Sequence, residues 1–116
     1  LRKPIPDLPS QLIHGDINPA NLLVVQGKPP AILDIAPYWR PANFSLAVYA
    51  YWIGPYKNAP NILNHFSTIE TFPQLLLRAA LRMLLVMSEF NDVHEVEMYH
   101  QATNIVERFV KHNSNI

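Results

Sequence analysis

His14-Gly15-Asp16-Ile17-Asn18-Pro19-Ala20-Asn21, running into Leu22-Leu23-Val24-Val25 and then Ala31-Ile32-Leu33-Asp34-Ile35, is the stretch on which this 116-residue chain is read. Leu22 to Val25 and Ala31 to Ile35 are short β-prone runs. Between them Gln26-Gly27-Lys28-Pro29-Pro30 has the composition of a turn. The simplest arrangement is a small antiparallel hairpin with Asn21 just before its first strand and Asp34 near the end of its second. Hairpin pairing brings these two residues together although thirteen positions separate them.

The residue types suit one kind of chemistry. Phosphoryl transfer from ATP needs positioning and charge neutralisation more than covalent assistance. A carboxylate must orient the acceptor hydroxyl and take its proton, and Asp16 is a candidate. Mg²⁺ needs hard oxygen ligands and takes only one or two carboxylates besides waters and phosphate oxygens. Asn21 offers a neutral carbonyl oxygen and Asp34 a charged one, which avoids the repulsion of two close carboxylates. A structural alternative stands beside this: Asp16 and Asn21 as turn formers that bond their own backbone next to Pro19.

The pattern H-G-D-x-x-x-x-N followed by an apolar strand, a turn and I-L-D resembles the catalytic core of aminoglycoside phosphotransferases and choline kinase-like enzymes. More remotely it is similar to protein kinases. Gly15 points to the aminoglycoside and choline branch, since protein kinases usually carry Arg there. The resemblance implies Asp16 as catalytic base, Asn21 and Asp34 as Mg²⁺ ligands, His14 as a support of the loop, and ATP as phosphoryl donor. It covers about thirty residues, with departures. Ile35-Ala36-Pro37 follows Asp34 in place of Phe/Leu-Gly, and Ser45 stands where a further aspartate of a D-L-A element is expected. Tyr38, Trp39 and Arg40, just past the metal position, could line the acceptor site or pack the loop.

The remainder reads as helix. Asn43 is positioned to cap a segment to about Ile53, apolar nearly all round and ended by Gly54-Pro55. Thr71-Phe72-Pro73-Gln74 has capping-box spacing for a helix to about Glu89. Asn91 or Asp92 opens a last helix to about Lys111, with Met98, Ala102, Ile105 and Phe109 on one face. Arg78 and Arg82 are expected as a solvated stripe, and the other histidines as solvated or packed. His94 and His100, six apart, do not share a face as an i,i+4 pair of metal ligands would. The expected fold is therefore mainly α with a small β-hairpin, corresponding to the C-terminal lobe of a protein kinase-like α+β fold. Residues 1–10 serve as linker, 11–41 carry the catalytic loop and hairpin, and 42–116 form a helical subdomain.

Composition narrows the partners. Apolar residues make up 49% of the chain and charged ones 16%, with zero net charge and no cysteine. Scattered cations give no nucleic-acid footprint, and Leu75 to Met87, broken by Arg78 and Arg82, is no membrane span. A cytoplasmic protein is expected. The apolar excess implies buried helices or a face covered by a neighbour, including self-association. The Pro-rich opening (Pro4, Pro6, Pro9) without an initiator Met resembles a linker. No G-x-G-x-x-G or nucleotide-anchoring lysine precedes His14, so the chain is expected to be a fragment lacking the N-terminal ATP-binding lobe and inactive alone. The acceptor is a small-molecule hydroxyl of undefined identity, and the few scattered acids give no special support for a polycationic antibiotic. The rival reading is a non-catalytic helical interaction module that retains the loop.

Overall fold

A computed structural model describes residues 1–90 and 93–113 and shows a mixed α/β chain with more helix than strand. Strand β1 (Ser10–His14) pairs antiparallel with β4 (Pro37–Pro41), placing Leu12 opposite Trp39, Ile13 opposite Tyr38 and His14 opposite Pro37. The chain between them carries the loop and the expected hairpin, in which β2 (Leu22–Leu23) pairs antiparallel with β3 (Ala31–Ile32). The β1–β4 ribbon thus closes on both ends of the His14–Asp34 excursion. Two prolines within five residues argue against a strand at 37–41. They are tolerated because Pro37 and Pro41 stand at its two ends, in a two-stranded sheet where each strand has an open edge.

Helix α1 (Ala42–Ile53) follows β4 without a loop. That continuity displaces the expected cap: Pro41 occupies the N-cap position with no side-chain bond, and Asn43 lies inside the first turn, exposed. Helix α2 (Phe72–Met87) packs on α1, and α3 (Val93–His112) packs on α2. Short 3₁₀ turns at Pro55–Lys57 and Pro60–Phe66 fill the polar connection between α1 and α2. The capping box expected at Thr71 does not form. Thr71 takes a left-handed conformation (φ 66°) and its buried hydroxyl has no partner. Gln74, the other half of that box, is engaged elsewhere: its Oε1 accepts the Lys3 N–H at 2.8 Å and its Nε2 donates to the Leu1 carbonyl. Helix α2 stops at Met87, where a 3₁₀ turn (Ser88–Phe90) takes over. The cap expected at Asn91 or Asp92 lies outside the described residues.

The core lies where the three helices meet. Val48 and Tyr51 of α1, Phe72, Leu75 and Leu76 of α2, and Val106 and Val110 of α3 are essentially inaccessible, with Leu63 from the connection. Each of the Val, Leu and Phe side chains contributes about 1.5–3 kcal/mol relative to exposure, a gain that the unpartnered buried hydroxyl of Tyr51 offsets at its own position. Ile105 and Ala102 of the face read from the sequence are buried and Phe109 packs on the core. Tyr99 and Val106 widen that face, and Met98 lies at its margin, half-buried. The N-terminal segment is docked, not free: Arg78 Nη2 donates to the Lys3 carbonyl at 2.7 Å, and Ile5 packs against the core. Burial, followed by the charge of Arg2, lowers the Arg78 pKa from its ordinary value. No helix among the described residues is long and apolar enough to cross a membrane.

Candidate active site

The loop after β1 is built around Asp16, whose backbone is held on both sides. Its N–H donates to His14 Nδ1 at 3.1 Å. Its carbonyl accepts from Asn21 Nδ2 at 2.7 Å and from Asn18 Nδ2 at 3.2 Å. No hydrogen bond or ion pair among the described residues takes up its carboxylate, which remains available to a ligand.

Asn18 and Asn21 close the turn reciprocally. Asn18 Oδ1 accepts the Ala20 N–H, while Asn21 Oδ1 accepts the Asn18 N–H at 2.8 Å, capping the 3₁₀ turn Pro19–Asn21 with a proline in its first turn. Asn21 is 5% exposed and is the one buried polar residue among those described. Its amide oxygen has two lone pairs, and one bond leaves the second free. The turn-forming reading and the ligand reading therefore coexist in the same side chain.

Three bonds fasten the Asp34 segment to this loop. The Leu33 N–H donates to the Asn21 carbonyl at 2.8 Å, the Gly15 N–H donates to the Ala36 carbonyl at 2.7 Å, and His14 Nε2 lies 3.2 Å from the Leu33 carbonyl. The last contact fixes the histidine tautomer: Nε2 carries the proton and donates, and Nδ1 accepts from Asp16. His14 thereby braces both halves of the site. Asp34 departs from β geometry with φ 49° and is exposed. Aspartate tolerates this region better than most residues, yet the conformation costs of order 1 kcal/mol and persists because its neighbours are pinned.

Two residues support the loop from the helices, and the sequence singled out the position of the first alone. Ser45 occupies the position where the resemblance called for an acid, and its Oγ donates to the His14 carbonyl at 2.7 Å. Helix and loop are thus tied after all, with a donor facing a carbonyl where an ionised carboxylate would only repel it. Arg82, expected as part of a solvated stripe, instead reaches the loop from α2. Its Nη1 donates to the Gly15 carbonyl at 2.8 Å, its Nη2 donates to the Tyr38 hydroxyl, and its guanidinium lies 4.3 Å from the Tyr38 ring centroid. Tyr38 packs so closely on Gly15 that any Cβ there would overlap the ring, which explains the glycine. Trp39 and Arg40 are exposed, and Arg40 Nη1 folds back on the Trp39 carbonyl.

Beyond the loop lies a cleft of about 520 Å³ between Asn18, Pro19, Trp52, Tyr56, Lys57 and Tyr99. Its rings form a cluster, Trp52 edge-on to Tyr56 at 4.7 Å and Tyr56 tilted against Tyr99 at 5.3 Å. Burial, then the charge and hydrogen bond of Tyr56, then Glu95 and Asp16, push the Tyr99 hydroxyl up to about 12. Burial chiefly raises Tyr51 as well. The influence of Asp16 on Tyr99 places the loop carboxylate within electrostatic reach of the cleft.

As to metal, no cluster of three or more His, Cys, Asp or Glu side chains among the described residues is placed to hold one. The exposed carboxylate of Asp34 and the spare lone pair on Asn21 are both hard oxygen donors, the type that suits a cation completed by phosphate and water oxygens. Around the site the surface is apolar: Leu12, Val24, Ile35 and Trp39 are each about two-thirds exposed or more. The chain matches no protein-family model, no curated protein and no solved structure.

Proposed function

We propose that this chain is the base- and metal-holding half of an ATP- and Mg²⁺-dependent phosphotransferase acting on a small-molecule hydroxyl. One observation carries the reading. Asp16 has every backbone polar group bonded while its carboxylate stays free, and the same bonds tie in Asn21 and the segment bearing Asp34. In this reading Asp16 accepts a hydrogen bond from the acceptor hydroxyl and takes its proton, while His14, Ser45 and Arg82 keep the loop from shifting. Asn21 and Asp34 would hold Mg²⁺, which when bound neutralises charge on the donor phosphates. The nucleotide would be anchored by a separate lobe, in keeping with the apolar surface around Leu12, Ile35 and Trp39.

Mn²⁺ titration followed by nuclear magnetic resonance tests the reading directly. Paramagnetic broadening should begin at Asn21 and residues 33–36, and Asp34→Asn should weaken it at least tenfold. Absence of broadening up to about 10 mM Mn²⁺, or broadening indifferent to Asp34→Asn, would overturn the metal assignment.

That apolar surface also favours a second reading, a non-catalytic module that binds a partner or itself. Concentration-dependent dimerisation abolished by Leu12→Lys, in a chain with no Mn²⁺ response, would select it.

A further inference from the structure

The cleft beside the loop has a chemistry that narrows the acceptor. Trp52, Tyr56 and Tyr99 supply aromatic surface on one side, and Pro19 adds an apolar edge. The side chain of Asn18 is neutral and is held by the loop, donating to the Asp16 carbonyl and accepting from Ala20. That leaves Lys57, exposed and without an ion pair among the described residues, as the single charged side chain on the lining. Asp16 and Glu95 act on Tyr99 electrostatically but do not line the cleft.

From these observations we infer that the cleft takes a ring-bearing alcohol with one anionic group, the ring against Trp52 and Tyr56, the anion at Lys57 and the hydroxyl toward Asp16. The hydroxyl's role rests on the phosphotransferase reading; the ring and charge preferences do not. A flat or puckered ring gains contact area from aromatic faces at little entropic cost. A polycation would bring its charges against an uncompensated ammonium. A doubly charged anion would find no second cation on the lining. One anion separated from the hydroxyl by a ring satisfies both ends.

Three probes sharing a benzyl alcohol separate the possibilities: para-(hydroxymethyl)benzoate, the neutral methyl para-(hydroxymethyl)benzoate, and para-(aminomethyl)benzyl alcohol. Binding to the full chain is read from the Trp52 indole N–H and the Lys57 and Tyr99 amides in ¹H–¹⁵N spectra. The carboxylate should bind about two- to fivefold more tightly than the neutral alcohol, the value of one exposed, directly opposed charge pair. The amine should bind weakest. Lys57→Glu, an exposed substitution, should reverse the order of the two charged probes. The inference is overturned if the amine binds as well as the carboxylate, if none of the probes shifts the Trp52 indole, or if Lys57→Glu leaves the order unchanged. Mn²⁺ broadening at Asp34 together with preference for the amine would refute this inference alone. Carboxylate binding without any Mn²⁺ response would keep the cleft's preference and refute the phosphotransferase.

Discussion

Replacing Arg82 by Ala removes the only side-chain hydrogen bonds between α2 and the loop among the described residues, and the structure sets the size of the effect. Two hydrogen bonds from a charged donor disappear, to the Gly15 carbonyl and the Tyr38 hydroxyl, along with the stacking of the guanidinium over the Tyr38 ring. Gly15 is buried, so its carbonyl loses a partner that water replaces poorly, which costs about 1–3 kcal/mol. The Tyr38 hydroxyl is better placed for rehydration, and a partly exposed cation–π contact adds only about 0.5–1 kcal/mol. Allowing for non-additivity among groups that touch, the net loss is roughly 2–3 kcal/mol. In a chain of this length that lowers the unfolding temperature by about 6–15 °C. Urea unfolding by circular dichroism measures the stability, and amide exchange at Gly15 and Asp16 shows whether the loop is where it is lost. Arg82→Lys keeps one donor and loses the fork, so it should recover less than half. A stability change under about 0.5 kcal/mol, or unchanged exchange at Gly15 and Asp16, would refute the argument that α2 fixes the loop through this residue.

Gly15→Ala should destabilise by about 1–3 kcal/mol, because the added methyl must displace the Tyr38 ring from its place under Arg82. Combining it with Tyr38→Ala should cost less than the sum of the two single changes, and strict additivity would show that the ring is not the obstacle. Alkaline stability follows from Tyr99. Its hydroxyl ordinarily titrates near 10 and is pushed up to about 12 in the fold. The unfolded chain therefore gives up this proton first, so stability is full below pH 10 and falls as pH rises from about 10 to about 12. Tyr99→Phe should flatten part of that decline in urea midpoints, and an identical slope in the variant would contradict it.

The features legible in the sequence are those specified locally. The β2–β3 hairpin follows from two β-prone runs around a Gly- and Pro-containing turn, and α1 ends where Gly54-Pro55 ends it. Two expectations failed for one shared reason: a distant part of the chain claims the group. Gln74 would cap α2 through its own turn, but Lys3 and Leu1 claim it from more than seventy positions away. Arg78 and Arg82, four apart on a helix, carry the pattern of a solvated stripe. Their guanidinium groups instead satisfy backbone carbonyls of Lys3 and Gly15 that no local residue reaches. Strand β4 is masked by its prolines until β1 is known to supply the facing edge.

The same distinction runs through the site. Asp16, Asn21 and Asp34 are readable because their spacing along the chain encodes a turn and a hairpin. Arg82, Tyr56 and Tyr99 are not, since only tertiary packing brings them to the side of the loop. A loop whose shape depends on α1 and α2 for anchorage is positioned by the core itself. Core substitutions such as Leu76→Ala should therefore loosen Asp16 in proportion to the packing they remove, although none of their atoms belongs to the site.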